Sequence, residues 1–358
     1  MYRARDNQAR PSRQLGFGLV ELMVALALSL LLLGGVVAIF ISSRQSYETT
    51  ERLSRVQENG RFALEQIVDD LRAAGYVGCA RPPTSVPSRA ADYLINELVN
   101  ETHPFRNFAV PIEGFDTDGS GTWTPALPSE ISALSPSGVA DVLVVRGPER
   151  DALALRLTER QTSGSDVLEV DAVSPAPLDP GDIAVISDCA ARAWFQVDDY
   201  TGGQITHAAG LNEDDDFIHP FALGAEIVPV NTVVYYLDAP NAGEPTSLYR
   251  LVVRDGNNGT PEPLAEGIER FEVQYGVDSV GGDGRVDQYV DASAVTDWSS
   301  VISVRIALLA RSMDAYGTDL DSRTYVLLDP DAPVGPFNDR FQRQVFTTTV
   351  ALRNQVID

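Results

Sequence analysis

The run from Leu22 to Ile41 contains no charged residue. With a rise of about 1.5 Å per residue, about twenty apolar residues form a helix long enough to cross a bilayer core. The front edge of the run constrains the chain further. Arg3, Arg5, Arg10 and Arg13 precede it, and one carboxylate, Glu21, stands where the apolar stretch is already under way. Burying an ionised carboxylate in a membrane costs roughly 2.5–3.5 kcal/mol on insertion scales, so Glu21 is a candidate functional residue that needs a partner. A secretory signal peptide would have an apolar core of only about 7–15 residues and a small-residue cleavage site beyond it. Here the run is longer and exits through Phe40-Ile41-Ser42-Ser43-Arg44. A plain membrane anchor has no use for the sequence Gly16-Phe17-Gly18-Leu19-Val20-Glu21.

The arginines before the run and the acidic bulk after it predict a cytoplasmic N-terminus and an exported body. The chain has 358 residues and a formal net charge of -24. That balance argues against nucleic acid as a partner, because phosphate binding needs clustered cations. Arg150, Arg156 and Arg160 are too scattered to form such a patch. All 27 basic residues are arginine, which excludes a P-loop lysine, a Schiff-base lysine and a kinase-type lysine. In an oxidising compartment the two cysteines, Cys79 and Cys189, are most simply read as one disulfide. Closing so long a loop is worth on the order of 4–5 kcal/mol in the chain-entropy model.

Past the apolar run, Ser42 to Ala74 has no proline, and Val56, Ala63, Leu64, Ile67, Val68 and Leu71 recur at helical spacing. Gly75 is a plausible stop. The pattern therefore predicts one helix from Phe17 to about Ala74, apolar all round in its first half and amphipathic in its second. Gly34-Gly35 is its weak point, a place for close contact or local melting. Beyond it, Ala90 to Asn100 reads as a short helix, and a Gly/Asp/Pro-rich region runs to about Gly138. Short runs rich in Val, Ile, Leu, Tyr and Phe follow. They lie at 141–146, 152–157, 167–170, 183–186, 193–197, 227–237, 247–254, 268–277, 301–310, 325–328 and 345–352. Their number and spacing predict an α+β fold, a long N-terminal helix packed on an antiparallel strand-rich C-terminal domain.

The segment Arg13 to Glu21 resembles the class III signal of type IV pilins and type II secretion pseudopilins. Gly18 departs from the Ser or Thr usual at its position. The stretches Ser54-Arg55-Val56-Gln57-Glu58-Asn59-Gly60-Arg61-Phe62-Ala63-Leu64 and Asp70 to Cys79 resemble the helix-to-body junction of the PilW family of minor pilins. So do Trp123 to Pro128, Asp141 to Arg146 and the terminal Val345-Phe346-Thr347-Thr348-Thr349-Val350-Ala351-Leu352-Arg353-Asn354. The resemblance implies a prepilin leader at 1–16, cut by prepilin peptidase after Gly16, and N-methylation of Phe17. It implies a helix at 17–75 that spans the inner membrane at about 22–41, and a periplasmic head at 76–358. Glu21 would pair with the N-terminal amine of a neighbouring subunit. The implied partners are other minor pilins of the PilV, PilX, FimU and PilE kinds, the major pilin and a large tip adhesin. The implied place after assembly is the extracellular pilus tip, in twitching motility and adhesion. The competing readings are a J-like type II secretion pseudopilin and a membrane-tethered binding module that is never extracted.

Two acidic loops invite a metal reading. Asp116 and Asp118 alternate as in the front of a calcium loop, but Leu127 stands where an EF-hand needs its glutamate. Asp278, Asp283 and Asp287 line a second Gly-rich loop. Asp and Gly are also what tight turns require, so calcium remains a weak candidate and no cofactor is expected. Asp214-Asp215-Asp216 reads as a solvated loop. His103, His207 and His219 lack metal-type spacing, and no nucleophile elbow or nucleotide loop is present, so no enzymatic site is expected.

Overall fold

The computed structural model describes residues 18–76, 78, 94–165, 167–238, 245–280, 282–315 and 319–355. Gly16, Phe17 and Cys79 lie outside the described residues. The chain divides into two units at Arg52/Leu53.

Helix α1 spans Leu19–Ala73 and passes through Gly34-Gly35 without interruption. In the first unit its apolar side chains are unburied. Leu19, Leu31 and Leu32 are 76%, 74% and 72% exposed, and the segment is long and apolar enough to cross a membrane. So large an apolar surface on a helix calls for lipid or protein against it. In the second unit Val56, Ala63, Ile67 and Leu71 of the predicted stripe are buried, joined by Gly60, while Leu64 and Val68 are partly buried. Each Ile or Leu fully withdrawn from water contributes about 1.5–3 kcal/mol. Gly75 ends the helix at φ 69, and its N–H donates to the Arg146 carbonyl at 3.1 Å. Asn354 Nδ2 donates to the Ala74 carbonyl at 3.0 Å. One of the orphan carbonyls at the helix end, that of Ala74, is thereby satisfied by the head.

The head begins with β1 (Leu94–Asn96), β2 (Ile112–Thr117), β3 (Trp123–Thr124), the single turn α2 (Ser129–Ser132) and β4 (Val142–Pro148). Then come β5 (Leu155–Arg156), β6 (Leu168–Glu169), β7 (Ile183–Ser187), β8 (Arg192–Gln196), β9 (Asp199–Thr201) and β10 (Gln204–Thr206). The chain continues through β11 (Glu226–Asp238), β12 (Ser247–Val253), β13 (Pro261–Glu266) and β14 (Ile268–Val277). It closes with β15 (Gln288–Val290), β16 (Val301–Arg311) and β17 (Arg343–Ala351).

A ten-stranded sheet runs β1-β8-β7-β11-β4-β2-β3, with β5, β12 and β13 attached through β11 and β12. The spine is β11, buried without a break from Ile227 to Leu237. Both of its faces are covered: Val233, Tyr235 and Leu237 share a core with α1, while Val234 and Tyr236 pack with Phe115 and Ile131. A strand covered on both sides reads as a continuous apolar run. The second sheet, β15-β14-β16-β17, is antiparallel throughout. Val304, Ile306 and Leu308 of β16 face the α1 core, and Ala307 and Leu309 face the other way. A small sheet, β6-β10-β9, closes over Leu168, Ile205, Phe217 and Phe221.

The α+β expectation holds, with α1 ending one residue short of its predicted limit. Two local readings are corrected. The helix predicted over Ala90 to Asn100 is, in its described part, strand β1, paired in parallel with β8, followed by a bridge at Leu98 and a turn. The free edge of β8 supplies hydrogen bonds that outweigh a weak helical propensity. The strand predicted at Tyr325 to Leu328 is a loop with one bridge, Tyr325 to Val334. Its alternation is real, but it places Tyr325 and Leu327 onto Ala307 and Leu309, so the apolar side lies on a sheet instead of joining one. Strands β2, β3, β9, β10, β13 and β15 escaped the pattern. β13 carries Pro261 and Pro263 and survives because β12 is its one neighbour among the described residues, so that its other edge asks no N–H of them.

Candidate assembly site

Glu21 is the third residue of α1, and the Gly18 N–H donates to its Oε2 at 3.0 Å. This is the returning half of a capping box. Gly18 has no side-chain oxygen to cap the helix, so the carboxylate is the local acceptor. Oε1 accepts no hydrogen bond from the described residues.

In the head, the amphipathic half of α1 is held by a carboxylate that apolar periodicity did not single out. Asp70, its side chain 9% exposed, receives Arg150 Nη2 on Oδ1 at 2.6 Å and Arg250 Nη2 on Oδ2 at 3.0 Å. The Tyr235 hydroxyl donates to the same Oδ2, and burial together with Asp70 pushes that phenol well above its ordinary pKa. Arg150 also reaches the Gln66 carbonyl at 2.9 Å. Arg150, read from sequence as one of several scattered cations, is thus committed to the helix. Nearly three turns before Asp70, Gly60 lets the Phe346 ring of β17 occupy the space where a Cβ would stand. That contact joins the junction segment to the terminal segment.

A second buried cation, Arg343 of β17, organises the loop at 319–342. Its guanidinium, 0% exposed, meets Glu269 at 2.5 Å, Asp339 at 2.6 Å and Asp321 at 3.2 Å. It also stacks 3.8 Å from the Phe337 ring centre.

The acidic loops close upon themselves. Asp118 Oδ1 accepts the Ser120 hydroxyl at 2.7 Å and the Ser120 N–H at 2.8 Å, and these donors lower its pKa. Asp287 Oδ2 accepts the N–H groups of Val280 and Ser279, each at 2.8 Å, and is lowered by them. Asp278 takes the Gly284 N–H at 2.8 Å, and Asp283 takes that of Arg285 at 3.0 Å. Asp116 reaches elsewhere, accepting from Ala292 at 2.9 Å and Ser293 at 2.7 Å. Among the described residues no three His, Cys, Asp or Glu side chains form a group able to hold a metal. Each histidine has its own local contact: His103 with Glu130, His207 stacked on Phe217, and His219 with Asp188.

Asp141 bridges the two large sheets. Its N–H donates to Phe271 at 2.9 Å, and its Oδ2 accepts the Val273 N–H at 2.9 Å. Burial raises its pKa well above the ordinary value, the Val273 bond opposes this, and Asp116 and Glu272 add to it. A carboxyl raised in the folded state loses stability as pH rises from the unfolded pKa through the folded one. Asp141→Asn keeps an acceptor for Val273. Urea titrations of the wild type and this variant are expected to show that the pH slope in that window flattens.

An exposed, charge-free helical span opened by Glu21 and followed by an α+β head defines a type IV pilin-like protein, and residues 11–37 match the prokaryotic N-terminal methylation motif. Within that class, residues 234–354, the C-terminal third of the chain, match the family model described as type IV pilus-assembly protein W. The match takes in the last five residues of β11 and all of the sheet that carries Phe346 and Arg343. Neither match is to an enzyme family. No curated protein matches the chain.

Proposed function

We propose that the chain is a minor pilin, cut by prepilin peptidase after Gly16, methylated at Phe17, and carried by α1 from the inner membrane into a type IV pilus. Before assembly the head is periplasmic; afterwards it sits at or near the tip, where so large a head has more room than along a packed shaft. There it acts with other minor pilins of the PilV, PilX, FimU and PilE kinds and with the major pilin. Together they prime assembly and connect to a large tip adhesin, supporting twitching motility and attachment. The observation that carries the reading is the methylation-motif match at 11–37 on a helix whose apolar span is wholly unburied. In the filament that span exchanges lipid for neighbouring helices, and Glu21 Oε1 takes a neighbour's terminal amine. A buried pair of this kind is attested chiefly as a device for setting register.

The test is intact-mass analysis of the membrane-extracted protein with and without prepilin peptidase. Methylated Phe17 at the N-terminus is expected with the peptidase present, and a retained leader there would sink the reading. Glu21→Ala is expected to abolish pilus incorporation while leaving the membrane-held head folded. A tethered binding module would be indifferent to that change.

The Cys79 to Cys189 bridge belongs to the same proposal. Gly78 lies so close to Ser187 that a Cβ there would stand 2.7 Å from the serine Cβ. Ser187 ends β7, and Cys189 follows in the turn before β8 at φ 67. This proximity of the preceding glycine supports the pairing. Alkylation before and after reduction, read in the same mass spectrum, is expected to modify the thiols only after reduction.

A further inference from the structure

The sequence holds two Asn-Gly dipeptides, Asn59-Gly60 and Asn258-Gly259, and the fold treats them oppositely. Asn258 and Gly259 are both exposed, in the loop between β12 and β13. The Gly259 N–H has no hydrogen-bond partner among the described residues. Asn258 is positioned by Asp255, donating its N–H to Oδ1 at 2.7 Å and its Nδ2 to Oδ2 at 3.3 Å. Asn59-Gly60 lies inside α1, where Gly60 is buried beneath the Phe346 ring and its N–H belongs to the helix ladder. Asn59 Nδ2 is bound to the Glu266 carbonyl at 3.1 Å.

We infer that Asn258-Gly259 is a site of spontaneous deamidation in the folded protein and that Asn59-Gly60 is protected from it. In the reaction the Gly259 nitrogen attacks Asn258 Cγ. A bond forms between them, the side-chain carbon–nitrogen bond breaks, and ammonia leaves with the proton from the Gly259 nitrogen. Water then opens the cyclic imide at either carbonyl, giving aspartate or isoaspartate without any change of oxidation state. Two conditions govern the first step: a backbone nitrogen free to attack, and a chain free to bring it to the side chain. Glycine imposes no Cβ obstacle to that approach. The loop meets the first condition and leaves Asn258 and Gly259 exposed, with Gly259 backed closely by the Val252 carbonyl, whereas α1 meets neither condition until it opens locally.

The change alters how this loop is held. Asp255 accepts N–H groups from Asn258 and Asn257, which outweigh its burial and keep its pKa low. Its main-chain carbonyl also receives Gln196 Nε2 at 3.1 Å and Arg106 Nη2 at 3.3 Å. Deamidation replaces a donor to Asp255 with a second carboxylate facing it, and the isoaspartate form lengthens the backbone there. Docking of the loop on Arg106 and Gln196 is the contact that should loosen.

The absence of lysine makes the test clean, because trypsin then cuts only after arginine. Asn258-Gly259 falls in the peptide Asp255–Arg270 and Asn59-Gly60 in Val56–Arg61, one dipeptide each. The full chain in detergent is aged at neutral and mildly alkaline pH. It is then digested briefly and mapped by mass, with isoaspartate scored by enzymatic methylation. The acid-form mass and isoaspartate are expected to accumulate in Asp255–Arg270 more than about tenfold faster than in Val56–Arg61. The two free synthetic peptides should convert at similar rates, and Asn258→Ser should remove the signal. The inference is overturned if Asp255–Arg270 from the folded chain stays unmodified while its free peptide converts. It is equally overturned if the helical site keeps pace in the folded chain.

Discussion

Replacing Asp70 with alanine is expected to lower the stability of the head by on the order of 3–5 kcal/mol, the cost of breaking a buried ion pair by removing one partner. Arg150 and Arg250 would each lose a charge-assisted bond, and the Tyr235 hydroxyl its acceptor. The neighbouring carboxylate is the natural control. Asp69 pairs with Arg72 at 3.5 Å, with side chains 46% and 62% exposed. An exposed pair of that kind contributes about 0–1 kcal/mol, so Asp69→Ala should be nearly silent. Urea titration of the two variants decides the matter. Equal midpoints would mean that Asp70 does not tie α1 to β11 and β12.

The second large effect is expected at Arg343→Ala. Removing a fully buried guanidinium leaves Glu269, Asp321 and Asp339 facing one another, again at a cost of about 3–5 kcal/mol near neutral pH. In the wild type the Arg343 hydrogen bonds lower the Asp339 pKa. Asp321 is lowered as well, since Tyr325, Arg323 and Arg343 outweigh its burial. Carboxylates depressed in this way stabilise the fold above their unfolded pKa, near 3.9, and the benefit is lost as pH falls through the native values. In the variant the repulsion itself disappears on protonation. The gap between the two proteins should therefore be widest near neutral pH and narrow in acid. Arg343→Lys keeps the charge but not the planar fork that serves several carboxylates at once, so it should restore only part of the loss. A gap that stays constant with pH would show the damage to be lost packing against Phe337.

How much of this was legible beforehand follows from the range of each interaction. The apolar span, the stripe on α1 and the stop at Gly75 are local, and a window of sequence contains all the information they use. β11, β14 and β16 were legible for the same reason: a strand covered on both faces, or on one, writes its burial directly into its composition. β1 and the loop at 325–328 were misread because their outcome rests on partners far along the chain, an edge of β8 and the outer face of β16. The Asp/Gly loops were ambiguous because turns and cation sites draw on the same residues.

Sequence alone determined that this chain has a helix able to cross a membrane with a carboxylate at its head, and a strand-rich body behind it. These properties rest on hydrophobicity, charge sign and period, which are carried by neighbouring residues. Tertiary structure alone decided that Asp70, Arg150 and Arg250 hold the helix, that Phe346 needs Gly60, and that Arg343 gathers three carboxylates. It also decided that one Asn-Gly pair is open and the other shut. Each of these joins residues far apart in the chain, and the value of a charge or an amide there is set by burial and by its partner, neither of which a residue carries in its own name.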